Sequence, residues 1–120
     1  MIDREGGAEK AVTPEPGSDP LLSEIVRRLV AAYQPERVYL FGSMARGDAG
    51  PDSDYDVLVV VPDDALPERR DSKLAYQMLW GVNASADVVV CRSGWFHDRT
   101  HLKASLPGTV LREGKLLHAA

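Results

Sequence analysis

The sequence has little of three features that would each indicate a class of protein. Cysteine occurs once in 120 residues, at Cys91, so no disulfide can form within the chain. No apolar run is longer than a strand, and the first ten residues lack the apolar core of a signal peptide. Lys and Arg number 14 against 18 Asp and Glu. We therefore expect a cytoplasmic protein without a membrane span and without the broad basic face that binds duplex nucleic acid.

What the sequence does contain is enough apolar material for one compact domain. Hydrophobic residues make up 44% of the chain, which is ordinary for a globular protein. Residues 1–18 are rich in Gly, Pro and Glu and show no periodicity, so we expect a flexible N-terminal tail. Residues 19–120 are then predicted to form a single domain.

The apolar spacing predicts alternating helices and strands. Asp19 is the expected N-cap of a helix that starts at Pro20, keeps helical spacing to Tyr33 and is closed by Pro35. Ser43 is the expected N-cap of a short helix over residues 43–48. Strands are predicted at residues 37–41, 54–61 and 86–92, a longer helix at 67–80, and short helices with a terminal segment over 93–118. This order indicates an α/β or α+β fold, a small mixed β-sheet with helices packed on it.

Two aspartates stand one residue apart at the start of the second strand. Side chains alternate between the faces of a strand, so Asp54 and Asp56 share a face, while Tyr55 between them points the other way. Two carboxylates this close repel each other, and a divalent cation between them would remove that cost. Mg²⁺ prefers such oxygen ligands and leaves positions open for phosphate oxygens. The pair therefore indicates a magnesium site.

Further residues could complete a site around these two. Asp87, at the start of the third strand, would supply a third carboxylate for two metal ions if that strand neighbours the second. Gly42 and Ser43 would seat a phosphate at a strand-to-helix turn, and Arg46 could add a charged contact to it. Each feature alone is common at ordinary turns and exposed strand ends. Their joint spacing is what favours a functional site.

The motif "FGSMARGDAGPDSDYDVLVVV" resembles the minimal nucleotidyltransferase branch of the DNA polymerase beta-like superfamily. In that branch G-S-x-A-R-G is followed by S-D, a hydrophobic residue, D and an apolar strand; Tyr55 takes the hydrophobic position here. The end "GTVLREGKLLH" is similar to the close of such proteins, with His118 where Tyr is common. The resemblance covers about residues 21–118.

The resemblance implies a nucleotidyltransferase fold and a named reaction. Asp54, Asp56 and Asp87 would bind two Mg²⁺ ions and activate an attacking hydroxyl, while Gly42 and Ser43 would hold a nucleoside triphosphate, with ATP expected. Minimal nucleotidyltransferases often act as antitoxins of HEPN-type ribonuclease toxins and adenylylate a tyrosine of the toxin. A chain of this length has little room for an acceptor-binding domain, so an acceptor presented by a partner protein is expected.

Two other functions stay open at this point. The chain could be a binding module of the same fold that neutralises a toxin without catalysis, although retained carboxylates favour an enzyme. It could also modify a small molecule such as an aminoglycoside, in which case a homo-oligomer could build the acceptor site.

Overall fold

The computed structural model describes residues 19–50 and 53–120, which contain five α-helices and four strands. The predicted tail, residues 1–18, lies outside the described residues. None of the helices within those ranges is long and apolar enough to cross a bilayer. A 3₁₀ turn, Pro67–Arg69, lies between β2 and α3. The elements in chain order are α1 (Pro20–Tyr33), β1 (Arg37–Phe41), α2 (Gly42–Arg46), β2 (Tyr55–Val61), α3 (Lys73–Met78), β3 (Ala86–Arg92), α4 (Ser93–His97), α5 (Leu106–Glu113) and β4 (Lys115–Ala119).

The strands form one mixed sheet, which confirms the predicted fold class. Their order is β3-β2-β1-β4. β1 runs antiparallel to β2 and to β4, while β2 and β3 run parallel. β2 and β1 are therefore the central strands, and β3 and β4 form the edges. The buried face of α1 packs on one side of the sheet, and Phe96 of α4 and Val110 of α5 pack on the other.

The second strand places its side chains alternately in two cores on opposite faces of the sheet. Val57, Val59 and Val61 belong to the core that contains the buried face of α1. Leu58 and Val60 belong to the other, which contains Phe96, Val110, Tyr39 and Leu116. All five residues of 57–61 are fully buried. At about 1.5–3 kcal/mol for each buried aliphatic side chain, this strand is a major source of stability.

The first helix begins and ends where its sequence predicts. The Asp19 carboxylate accepts a hydrogen bond of 3.0 Å from the Leu22 amide, and Pro20 occupies the first turn. Gln34 adopts the left-handed conformation after the last helical residue, and Pro35 follows. The buried residues of α1 are spaced three and four apart, at Leu22, Ile25, Leu29 and Tyr33.

Two predictions about the later elements need correction. The continuous helix over 67–80 is wrong, because the chain forms the 3₁₀ turn first and starts α3 only at Lys73. The charged residues 68–73 offer no apolar stripe to bury, so nothing holds a helix there. The terminal segment around residues 115–119, predicted without a strand, forms β4, whose Leu116 and Leu117 enter opposite cores.

Candidate functional site

The turn between β1 and α2 depends on a left-handed glycine. Gly42 has a φ of 73°, a conformation that is energetically unfavourable for any residue with a β-carbon. The chain therefore passes directly from Phe41 into a helix that starts at Gly42. The prediction that Ser43 is the N-cap is wrong, since Ser43 is the second helical residue and Phe41, the last residue of β1, stands at the N-cap position without a side-chain hydrogen bond. The Ser43 carbonyl instead accepts the Gly47 and Asp48 amides at 3.0 and 3.2 Å and closes the helix.

The same glycine lies directly against the carboxylate of Asp56. A β-carbon at Gly42 would overlap the Asp56 carboxylate oxygen Oδ2, with the carboxyl carbon at 3.1 Å. Phe41, the residue before it, pairs with Asp56 across the β1–β2 ladder. The strand-to-helix turn and this carboxylate are therefore in contact, as the sequence spacing suggested.

The parallel pairing of β2 and β3 brings the predicted third carboxylate alongside. Asp87 is the register partner of Asp56. Residues paired in a sheet present their side chains on the same face, so the two carboxylates stand side by side. Asp54 directly precedes β2 and is exposed, as is Asp87, whereas Asp56 is half-buried. The three aspartates therefore gather at one end of the sheet, with Asp56 in the middle.

The electrostatics follow from this arrangement. Partial burial raises the pKa of Asp56 above its usual range, and the charges of Asp87 and Asp54 raise it further. Arg46 opposes the effect. Since like charges disfavour ionisation, the Asp56 carboxylate carries a cost that a cation would remove.

Arg46 extends from the end of α2 between acidic side chains. Its Nε donates to Asp48 Oδ2 at 3.1 Å, and its Nη1 lies 3.7 Å from Glu113 Oε1. The hydrogen bond to Asp48 is the main cause of the raised pKa of Arg46, and the charges of Glu113 and Asp56 add to it. Arg46 is exposed, so a phosphate could compete with these carboxylates for it.

The three carboxylates suit a hard cation in their chemistry. Within residues 19–50 and 53–120, no three His, Cys, Asp or Glu side chains converge as a formed metal site. Asp54 and Asp87 are exposed, so rotation of their side chains could bring both toward Asp56. Carboxylate oxygens are the ligands that Mg²⁺ prefers, and the register pairing already places Asp87 beside Asp56.

Replacing Asp87 with asparagine is expected to stabilise the metal-free protein and weaken its response to Mg²⁺. Loss of one like charge should raise the free energy of unfolding by about 0.5 kcal/mol, a Tm increase of roughly 2–4 °C. Mg²⁺ at about ten times its Kd should stabilise the wild type by about 1.4 kcal/mol. Thermal melts in EDTA and across a Mg²⁺ titration measure both effects.

Asp64→Asn provides the control, because Asp64 is exposed in the turn that follows the opposite end of β2. It should change neither the Tm in EDTA nor the Mg²⁺ response. An equal Mg²⁺ response in wild type and Asp87→Asn would show that Asp87 does not bind the cation.

Two residues of this region were not predicted to take part in the site. The sequence indicated Tyr55 only as an occupant of the apolar position between two aspartates, and Asp19 only as a helix cap. The structure joins them: the Tyr55 hydroxyl donates to the Asp19 carboxylate at 2.9 Å. The position of Tyr55 on the buried side of the strand could have suggested that its hydroxyl needs a hydrogen-bond partner. Nothing in the sequence indicates that the partner is Asp19, 36 residues earlier.

Comparison with known proteins gives a family match over most of the chain. The model of the family described as "Nucleotidyltransferase domain" matches residues 22–115. No curated protein shows a significant match. The matched range contains both the strand-to-helix turn at Gly42 and all three aspartates.

Solved structures match the same fold. A chain of a toxin–antitoxin crystal structure with AMP-PNP is 25% identical, with a TM-score of 0.54, and the match covers 80% of this chain and 72% of that one. A chain of a doubly substituted toxin–antitoxin MntA-HpeT is 22% identical, with a TM-score of 0.52 and coverage of 79% and 71%. The second likeness supports the fold alone.

Proposed function

Because this chain belongs to the nucleotidyltransferase domain family, we propose that it transfers AMP from ATP to a hydroxyl of a partner toxin and so acts as the antitoxin. Membership of the family makes the chain a nucleotidyltransferase. The proposal adds the nucleotide, the acceptor and the partner. The observation that carries it is the pairing of Asp56 with Asp87 beside the turn at Gly42.

Each group at this end of the sheet has a role in such a transfer. Asp54, Asp56 and Asp87 would hold Mg²⁺, which supplies neutralisation of phosphate charge and favours ionisation of the attacking hydroxyl. Gly42, which has no side chain, would let the triphosphate approach the backbone, and Ser43 would offer its hydroxyl. Arg46 would exchange Asp48 and Glu113 for phosphate oxygens.

The transfer forms one bond and breaks one. The acceptor oxygen bonds to the α-phosphorus of ATP, the bond from that phosphorus to the oxygen bridging to the β-phosphate breaks, and pyrophosphate leaves. The acceptor proton passes to a carboxylate or to solvent. Exposure of Asp54 and Asp87 leaves room for a hydroxyl carried by another protein to reach this point.

The partner and the nucleotide are supported by the solved structures. A toxin–antitoxin structure with AMP-PNP contains a chain of the same fold and 25% identity to this one. By the sequence resemblance, the toxin would be of the HEPN type and the acceptor one of its tyrosines.

A radiolabel assay tests the proposal. The protein is mixed with Mg²⁺, the product of the neighbouring gene and ATP labelled at either the α- or the γ-phosphate. Label should enter the partner protein from α-labelled ATP only, while the γ label appears in pyrophosphate. Mass spectrometry of the partner should then show a 5′-AMP adduct on tyrosine.

Two results would contradict the proposal. Absence of label on the partner would show that the partner is not the acceptor. Transfer of the γ label to the partner would indicate phosphorylation instead. Parallel reactions with aminoglycosides in place of the partner would detect a small-molecule acceptor.

A further inference from the structure

Tyr55 is held at two points where β2 begins. Its amide donates to the Ser85 carbonyl at 3.0 Å, which ties the backbone to the residue before β3. Its half-buried side chain packs against the core that includes the buried face of α1. The phenol oxygen then lies 2.9 and 3.2 Å from the two carboxylate oxygens of Asp19. Both the backbone and the tip of the side chain are therefore fixed.

Asp19 is itself a fixed point in the fold. Its carboxylate accepts the Leu22 amide at 3.0 Å, and its carbonyl accepts the Ser23 amide at 3.1 Å. The helix that follows is anchored by Ile25 and Leu29, both fully buried. The Tyr55 hydroxyl is therefore bound to the capping residue of a helix whose apolar face is buried in the core.

The two neighbours of Tyr55 in the chain are the aspartates of the candidate site. Alternation along the strand sends the Tyr55 ring to the α1 face while Asp56 points to the opposite face, beside Gly42 and Asp87. Asp54 comes directly before β2 and lies outside any strand or helix. Tyr55 is thus the first residue of β2 that pairs with β3, so its position fixes the backbone on either side, at Asp54 and Asp56.

We propose that Tyr55 and Asp19 are positioning residues, whose hydrogen bond holds Asp54 and Asp56 in the geometry that binds the catalytic metal. The inference rests on the proposed function for its metal-dependent chemistry. Groups that orient metal ligands typically affect metal affinity or activity by about 10–100-fold when they are removed. Displacement of reacting groups by about 1 Å can cost a similar factor in rate.

The test removes the hydrogen bond from either side. Tyr55→Phe keeps the ring and removes the hydroxyl. Asp19→Ser keeps a good helix cap but shortens the side chain beyond reach of Tyr55. Each variant should raise the Kd for Mg²⁺ about tenfold, measured by thermal shift with the metal alone. Each should also lower kcat for transfer to the partner about tenfold, with KM for ATP within about twofold.

Two further variants separate positioning from stability. Asp19→Asn keeps both the cap and an oxygen acceptor for Tyr55, so it should retain near wild-type metal affinity and kcat. Tyr33→Phe removes a comparable hydroxyl at the far end of α1, where Tyr33 donates to the Asp71 carbonyl at 2.5 Å and accepts the Ala75 amide at 2.9 Å. It should lower Tm at least as much as Tyr55→Phe, because it leaves the buried Ala75 amide without an acceptor, but it should leave Mg²⁺ affinity and kcat unchanged.

The results decide the inference separately from the proposed function. If the wild-type protein binds Mg²⁺ but transfers no AMP to the partner, the proposed function is wrong. The Mg²⁺ affinities of the variants would still decide whether Tyr55 positions the aspartates. Mg²⁺ affinity of Tyr55→Phe within twofold of wild type would overturn the inference. An equal loss of Mg²⁺ affinity in Tyr33→Phe would also overturn it. So would a double variant Tyr55→Phe, Asp19→Ser whose fold-loss of Mg²⁺ affinity equals the product of the two single fold-losses, because the two residues would then act independently.

Discussion

Replacing Asp56 with asparagine is expected to lower kcat for AMP transfer by about 10³-fold or more, roughly 4 kcal/mol of transition-state stabilisation. The side chain keeps its shape and loses its charge. Asp56 is the central member of the carboxylate group, with Asp87 beside it in the sheet and Gly42 against its Oδ2. The measurement is single-turnover transfer from α-labelled ATP to the partner protein at saturating Mg²⁺.

The same variant should fold at least as well as the wild type. Burial and two neighbouring negative charges raise the pKa of Asp56, so its ionised form costs stability in the absence of a cation. Asparagine removes that cost. A loss of activity accompanied by an unchanged or higher Tm therefore assigns the loss to chemistry and not to unfolding.

Asp64→Asn is the matched control and should retain full activity. Undiminished transfer in Asp56→Asn would refute a metal role for Asp56. The toxin-neutralising assay adds a second decision: an inactive Asp56→Asn protein that still neutralises the partner fully would favour the non-catalytic binding module. Loss of both properties together would support neutralisation by covalent modification.

The sequence predicts the elements of this fold best where one periodicity dominates. The apolar spacing of α1 and the unbroken apolar run of residues 57–61 in β2 leave little choice of structure, and both elements lie within a residue of their predicted bounds. β4 was not predicted because its two adjacent leucines resemble any short buried segment until a partner strand is known. β1 supplies that partner, from 75 to 82 positions earlier in the chain.

The candidate site likewise has one part that local sequence predicts and another that depends on the fold. Asp54, Asp56, Gly42 and Ser43 lie within 15 residues of one another, so their spacing and the period of a strand suffice to associate them. The position of Asp87 was conditional on β3 lying next to β2, which only the sheet order shows. Contacts between distant elements, such as Tyr55 with Asp19, depend on packing that no local pattern encodes.

Gly42→Ala is expected to destabilise the protein by about 2 kcal/mol or more and to lower transfer to the partner by about 100-fold. A left-handed φ costs a residue with a β-carbon about 1–2 kcal/mol. The methyl group would also overlap the Asp56 carboxylate, which must then move away from its place beside Asp87. Thermal melts and the transfer assay measure the two losses, with a Tm decrease of roughly 8–16 °C.

Gly47→Ala separates the two causes. Gly47 has a similar φ of 82°, but among the described residues no atom outside its own turn and chain neighbours lies within 4 Å of the position that its β-carbon would take. In this variant the free energy of unfolding should fall by only about 1 kcal/mol, from the strained backbone alone, and the activity should be kept. If Gly47→Ala loses as much activity as Gly42→Ala, the contact with Asp56 is not the cause.

The contact can also be isolated by removing the carboxylate. In an Asp56→Ala background the nearest remaining atom of residue 56 is its β-carbon, 3.4 Å from the position of a β-carbon at residue 42, which is an ordinary contact. Gly42→Ala should then cost only about 1 kcal/mol, as Gly47→Ala does. The difference from its cost in the wild type measures the free energy of the clash between the Asp56 carboxylate and a side chain at residue 42. A cost that is the same in both backgrounds would mean that Gly42 serves only the geometry of the turn.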